Sequence, residues 1–391
     1  MKGGRFYGMR DDILFMPLGG GQRTGASCYY LKLGSANIIL DAGNGNNKGI
    51  IFEPDLHSLV TSPYIQSINQ INQIFISHAH YDHIGYLFKL MKEAARANVY
   101  MTRVTKLLSG YQLYDKAFLS GKRPDENKRL AAQYMLDRVS NVDFMQCINF
   151  GTYKASFWQA GHIPGAMMVL FEYGRRKILY TGDYSLKSTP LAGGCVLPDN
   201  ADIDTVIMCG LHAKHPGYIK NLDNLFIKVQ HVLNIARQHT GPVVCYVPQL
   251  SKGIEFIKVL NMYNENNIPV YIDNSVMRII EKMEKLAVPV LNENNKVFDN
   301  SYKREPYIYV TADKEHRETG FCHYVNVDFS LHEDFREMKE FIKKINPRQA
   351  VMVHCAREHS PYDETIEQVL MLDGESRTQF IFAEEKEIYR I

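Results

Sequence analysis

The sequence predicts an α/β chain, and three observations carry that expectation. The first half holds short apolar runs rich in β-branched and aromatic residues. After Asp183 such runs alternate with helix-length amphipathic segments, and near residue 330 the chain returns to one helix and one strand. With 391 residues, 45% of them hydrophobic, the chain can bury a real core as two domains or as one large domain with an insertion.

In order, the predicted strands are "NIILDAG" (37–43), "QIFISH" (73–78), "ASFWQAGH" (155–162), "AMMVLFEY" (166–173) and "KILYTGD" (177–183). Several end on His or Asp, so polar groups collect at strand ends, where active sites are commonly built. The alternating stretch then reads "TVIMC", a helix near 221–238, "PVVCYV", a helix near 253–264, "PVYID", a helix near 275–287 and "PYIYVT", the pattern of a small parallel α/β unit. An amphipathic helix follows, with Phe335, Met338, Phe341, Ile342 and Ile345 on one face, and then the strand "QAVMVH" ending on His354.

Composition excludes several classes. No apolar run approaches the roughly 18 residues of a membrane span, and the start "MKGGRFYGMR" lacks the apolar core of a signal peptide, so a soluble, cytoplasmic protein with no membrane partner is expected. The seven cysteines form no C-x-x-C pair, which fits reduced thiols better than disulfides or a thiolate zinc site. A formal net charge of +2 means that attraction to a nucleic acid must come from a local groove. The stretch "KAFLSGKRPDENKR" (116–129) reads as a solvated loop and helix face, with contact to a polyanion as the alternative.

The densest chemistry is "FISHAHYDHIGYLFKL" (75–90). His78 and His80, two apart at the end of an extended run, point the same way and can chelate one ion. Asp82 and His83, at the turn into the next helix, can address a second. The pattern suits a two-metal hydrolase, with ions roughly 3.5–4 Å apart sharing a hydroxide nucleophile. Further ligands stand in similar contexts: His162 in "WQAGHIPGA", Asp183 in "LYTGDYS" and His354 in "VMVHCA". Asp183 is the natural bridge, because a two-oxygen ligand can hold both cations. Asp41, ending "NIILDAG", reads as an outer acceptor that orients a ligand or the water.

These residues resemble the metallo-β-lactamase superfamily: "LDAG", "HAHYDH", "AGHIPGA" and "TGDYS" match its first four motifs in order and spacing. "DFSLHEDF", with His332, and "VMVHCA", with His354, resemble motifs B and C of its β-CASP nuclease branch, and "GGGQRTGASCYYLKLGSANIILDAG" is similar to the start of those enzymes. The resemblance implies an αββα sandwich interrupted by a smaller α/β domain: 1–208 as the first part of the sandwich, 209–325 as the β-CASP-like insertion and 326–391 as the returning part. It implies two zinc ions, with manganese as the alternative. His78, His80 and His162 would hold one, Asp82, His83 and His354 the other, and Asp183 would bridge. Asp82, His332 and Asp41 are then the catalytic candidates, His332 protonating the leaving oxygen. A histidine at motif C is associated in this group with RNA, so single-stranded RNA is the expected substrate. A homodimer or a recruiting protein partner stays open.

The chain also departs from that pattern. Where motif A should supply an acid, the strand reads "TVIMCGLHAKHPGY", with Cys209 or Gly210 at the position; His212, His215 or a carboxylate from elsewhere are the stand-ins. Ile254 replaces the arginine of a Gly-Arg pair in "PQLSKGIEF", whereas "VYIDNSVM" around Asp273 is closer to pattern. Two other functions share these features: a hydrolase of small esters, thioesters or lactones, and a non-catalytic RNA-binding or scaffolding homologue. The complete ligand set favours the ribonuclease.

Overall fold

A computed structural model describes residues 13–115, 126–198, 202–214, 223–248, 250–299, 306–318, 320–355, 368 and 378–391. Lys116–Asp125 of the charged stretch and His215 lie outside these residues.

Two seven-stranded sheets pack face to face. The first runs in the spatial order Tyr389–Arg390, Ile13–Gly19, Cys28–Leu33, Ala36–Leu40, Gln73–Phe75, Asn98–Thr102, Ser140–Val142. The second runs Gln379–Phe382, Gln349–Val353, Thr205–Cys209, Arg176–Tyr180, Met167–Tyr173, Lys154–Gln159, Cys147–Asn149. Side chains alternate across each strand. Leu31, Ile38, Leu40 and Phe75 of the first sheet meet Phe157, Val169, Phe171 and Tyr180 of the second in a closed inner core. Tyr30, Ile39, Ile74, Met168, Leu170 and Leu179 face outward and are buried under helices. Because both faces are covered, these strands read as nearly continuous apolar runs rather than alternating ones. Phe75 is fully buried, its ring 5.2 Å from Tyr100 and 5.4 Å from Phe171; burying such a side chain stabilises by about 1.5–3 kcal/mol.

A third sheet has five strands, all parallel, in the order Asn295–Val297, Val270–Ile272, Ile308–Thr311, Val243–Tyr246, His323–Asn326. The helix Asp223–Gln238 leads into Val243–Tyr246, and Lys252–Tyr263 and Asn274–Glu284 connect successive strands, as the alternating pattern predicts. One predicted member belongs elsewhere. "TVIMC" is Thr205–Cys209 of the second sheet, hydrogen-bonded in parallel to Arg176–Tyr180 and Gln349–Val353. The segment that builds the third sheet therefore leaves the second sheet after Cys209 and returns through the helix Phe335–Ile345.

Two more differences shape the site. The strands stop earlier than predicted, at Leu40, Phe75, Gln159 and Tyr180, so Asp41, His78, His162 and Asp183 sit on loops. Left-handed residues break three of the extended runs: Asp41 itself (φ 58°), Gly161 (φ 75°) and Gly182 (φ 54°). The helix expected after Asp82 is split into Tyr81–Ile84 and Leu87–Glu93, because the Tyr86 amide donates to the Ala42 carbonyl (2.8 Å) instead of continuing the helical ladder.

Candidate metal centre

Every candidate except His332 follows closely on the C-terminal end of a sheet strand: Asp41, the His78–His83 segment, His162, Asp183 and His354. The packing of the two sheets brings those ends together, although their sequence positions span most of the chain.

Two clusters result. His78, His80, His162 and Asp183 each offer a ligand atom within 4.8 Å of the others, and so do Asp82, His83 and His354. His80 Nδ1 lies 3.1 Å from His78 Nε2 and 3.0 Å from His162 Nε2. Three nitrogens bound to one zinc at about 2.0–2.1 Å would lie about 3.3 Å apart, so the spacing is close to what an ion needs. Asp183 Oδ2 lies 3.7 Å from His78 Nε2, 3.8 Å from His162 Nε2 and 3.4 Å from His83 Nε2, facing both clusters. His354 Nε2 is 3.8 Å from Asp82 Oδ2.

The outward nitrogens decide where the protons sit. His162 Nδ1 faces the Leu331 carbonyl (3.1 Å), which only accepts, so this nitrogen carries the proton. Ser77 Oγ gives its one proton to Asp41 Oδ2 (2.7 Å), so His78 Nδ1 must donate to Ser77 Oγ (3.0 Å). His78 Nε2 and His162 Nε2 therefore turn bare lone pairs toward the same point. His80 Nε2 meets Ser251 Oγ at 3.3 Å, and His354 Nδ1 meets Ser27 Oγ at 3.0 Å. A cation is what converging lone pairs and buried carboxylates require. Asp183 Oδ1 and Oδ2, His83 Nε2 and His332 Nδ1 are buried without a hydrogen-bond partner, a costly arrangement unless an ion completes it. The donor set fits two divalent cations of the zinc type.

Charge follows from burial and neighbours. Burial holds His78 and His162 well below the ordinary histidine range, and lowers His80 as well. His83 is the opposite case: burial lowers it, but Asp183 and Asp41 outweigh burial and hold it well above its usual value. Burial would raise Asp183, yet His83, His354 and His332 hold it well below the carboxylate range. Asp82 is likewise lowered, His83 and His354 outweighing its burial.

Asp41 is the outer anchor. Fully buried and left-handed, it accepts from Ser77 N (2.6 Å) on one oxygen and from Ser77 Oγ, His83 Nδ1 (2.7 Å) and Tyr180 OH on the other. A non-glycine residue held in this conformation by four hydrogen bonds marks a constrained site. Asp41→Asn would turn an amide NH2 toward donors or leave them unmet. Metal affinity should fall about 10- to 100-fold in chelator competition, and unchanged affinity would refute the anchoring role. Gly43 is equally constrained: a Cβ there would lie 1.6 Å from the Asp82 carbonyl oxygen, which already accepts from Ser27 N. Gly43→Ala should displace Asp82 and His83 and lower the bound-metal count below that of wild type; a wild-type count on a folded variant would contradict this.

His332 comes from a different element. It precedes the helix Phe335–Ile345, whose N-cap Asp334 accepts from Glu337 N (2.9 Å), while Glu337 accepts from Leu186 N (2.8 Å). The Leu331 carbonyl holds His162, and Glu333 N donates to Tyr184 O (3.0 Å). His332 is thus stitched to two ligand loops. Its Nδ1 points inward, 3.6 Å from Asp183 Oδ2, while the side chain stays 24% exposed. Cys209, one of the two residues at the expected motif A position, has its sulfur grouped within 4.8 Å of His332 and Asp183 ligand atoms. The carboxyl group found beside Cys209 is that of Glu333, which the sequence pattern did not single out; it is fully buried, and burial with the nearby Asp183 charge pushes it well above its usual range.

Comparison with known proteins agrees with this geometry. Residues 21–218, about half of the chain, match the model of the metallo-beta-lactamase superfamily. The chain belongs to the metallo-β-lactamase superfamily. Residues 322–367, which contain His332 and His354, match the Zn-dependent metallo-hydrolase RNA specificity domain. Similar curated proteins include "Endoribonuclease ysh1" of Schizosaccharomyces pombe, 27% identical over 76% of this chain and 39% of that protein. Others are "Cleavage and polyadenylation specificity factor subunit 3-I" of Arabidopsis thaliana (24%; 76% and 43%) and "Cleavage and polyadenylation specificity factor 73" of Drosophila melanogaster (26%; 72% and 41%). The chain spans only about two-fifths of the length of these relatives. A crystal structure of a protein of unknown function from Enterococcus faecalis V583 shares the fold, with a TM-score of 0.64 at 13% identity, over 97% of this chain and 100% of that one.

Proposed function

We propose that the chain is a metal-dependent phosphodiester hydrolase that cuts single-stranded RNA at a site of two divalent cations, zinc with manganese as the alternative. The observation that carries this reading is the meeting of two histidine–carboxylate clusters at Asp183 with His332 beside them. His78, His80 and His162 would hold one ion, Asp82, His83 and His354 the other, and Asp183 both. Bound there, the cations would acidify a water and neutralise charge on the phosphoryl oxygens.

The chain's own residues do the rest. Asp41 fixes His83 directly and His78 through Ser77, so the lone pairs stay aimed inward. His332, pushed down to about 3 chiefly by burial, is neutral in the free site. The negative charge of an arriving phosphodiester favours its protonated form, and its more open nitrogen, Nε2, then passes the proton to the leaving oxygen. The segment 209–325 is assigned as the inserted β-CASP domain; its Ser251 reaches His80 and gives it a direct hold on the site. Support for RNA comes from the RNA-specificity match and from relatives named as endoribonucleases. The full set of seven proposed ligands argues against a non-catalytic scaffold.

The test is to incubate metal-analysed protein with end-labelled single-stranded RNA and matched DNA, beside a paired Asp82→Ala and His83→Ala variant. RNA cleavage that disappears in the variant is expected. Intact RNA in the presence of protein carrying two zinc ions would overturn the proposal.

A further inference from the structure

A cavity of about 490 Å³ opens between the helix Arg103–Gly110 and the end of Asn274–Glu284. Its wall carries four cations, Arg103, Lys106, Lys282 and Lys285, and no carboxylate among the described residues. Lys106 Nζ donates to the Val139 carbonyl (3.3 Å) and Lys282 lies over the Tyr111 ring (4.9 Å), so neither is neutralised by an acid there. Arg103 faces a carboxylate, Asp143, at 3.9 Å with both side chains mostly exposed, a pair worth little in water.

A second cavity, about 480 Å³, shares Arg103 and Lys285 with the first, has Asp143 as the one carboxylate on its wall among the described residues, and continues to Pro164 and Gly165, just after His162. The connection is rigid. Thr102 Oγ1 and Thr105 Oγ1 both donate to the Gly165 carbonyl, at 2.7 and 2.9 Å, fixing the start of the Arg103 helix to the His162 loop. Phe144, 39% exposed, stands on the wall of this second cavity. A cationic trough with an exposed ring, running outward from the ligand loop, is the combination that holds a single strand: charges track the phosphates while bases stack on the ring. It also supplies the local attraction that a net charge of +2 does not.

We propose that the two joined cavities form a groove for the phosphate backbone of single-stranded RNA on one side of the metal centre, with Lys106, Lys282, Lys285 and Arg103 on the phosphates and Phe144 as a stacking platform. This rests on the ribonuclease reading and adds to it the path of the strand.

The test measures affinity for a single-stranded RNA of about 20 nucleotides, across a salt series, in an Asp82→Asn background that prevents cutting. Adding Lys282→Gln with Lys285→Gln should weaken binding roughly ten-fold near physiological salt and reduce the slope of log affinity against log salt by about 1.4, roughly 0.7 for each phosphate no longer neutralised. Phe144→Ala should weaken binding with the slope unchanged. An affinity and slope equal to the parent's in the lysine variant, with the parent binding RNA, would overturn the groove while leaving the ribonuclease reading intact. A wild-type chain that neither cuts nor binds RNA would overturn both.

Discussion

On the two-cation ribonuclease reading proposed above, Asp183→Asn will reduce RNA cleavage to background and remove at least one cation, while the chain stays folded. Asp183 is almost fully buried, and its Oδ2 lies 3.4–3.8 Å from nitrogens of His78, His83, His162 and His332. No other carboxylate among the described residues faces both clusters. An amide at this position keeps the shape but loses the charge and one acceptor, so the site would lose the negative charge that offsets repulsion between two cations. The metal-free protein should suffer as well. Asp183 is the largest contributor to the raised His83, and removing one partner of a buried ion pair costs about 3–5 kcal/mol. The sign of its pH dependence is fixed by the lowered Asp183. That carboxylate contributes stability above its unfolded value near 3.8, and the contribution is lost as pH falls through its folded value, so the gap between wild type and variant should close in strong acid. Metal analysis, a cleavage assay on labelled RNA and denaturant titrations at two pH values check these points. A variant that keeps two metals and cuts within about ten-fold of wild type would remove Asp183 from the bridging position.

The candidate centre was legible where chemistry follows directly on hydrophobic pattern. Asp41, His78, His80, His162, Asp183 and His354 all stand just past apolar runs, and strand ends in a layered fold converge in space. Strand lengths were less legible, because a left-handed Asp41 looks like any other aspartate in a sequence. Outer partners divide by distance along the chain. Ser77 adjoins His78 and its part is readable in hindsight, but Ser251 is 171 residues from His80, and only the packing of the third sheet's helices brings it close. The Leu331 carbonyl that sets the His162 tautomer is main chain and leaves no residue-type signal. Glu333 was visible beside His332, yet its place depends on where the end of Thr205–Cys209 falls. "TVIMC" was misassigned for the same kind of reason: a parallel strand buried on both faces reads alike in either sheet.

His332→Ala should lower kcat on RNA by about 10²- to 10⁴-fold while both metals remain bound and KM changes little. The prediction separates a proton donor from a ligand. His332 lies outside the His78–His80–His162–Asp183 and Asp82–His83–His354 clusters and is grouped only with Asp183 and the buried thiol of Cys209, and the loop that carries it is held by main-chain bonds at Leu331 and Glu333 and by the Asp334 cap, none of which needs the imidazole. Cys209 makes the role harder to fill than an acid would. A thiol that burial keeps protonated gives His332 no negative neighbour, and burial also keeps the adjoining Glu333 on the neutral side. Protonation of His332 then depends on Asp183 and on the substrate's own charge. The leaving group is the decisive variable. An RNA ribose oxygen is a poor leaving group and needs the proton, whereas an aryl oxide departs without it. The defect of His332→Ala should therefore shrink strongly on a chromogenic aryl phosphodiester. An equal loss on both substrates, with metal content intact, would make His332 a binding or positioning residue and leave proton delivery to a group elsewhere in the site.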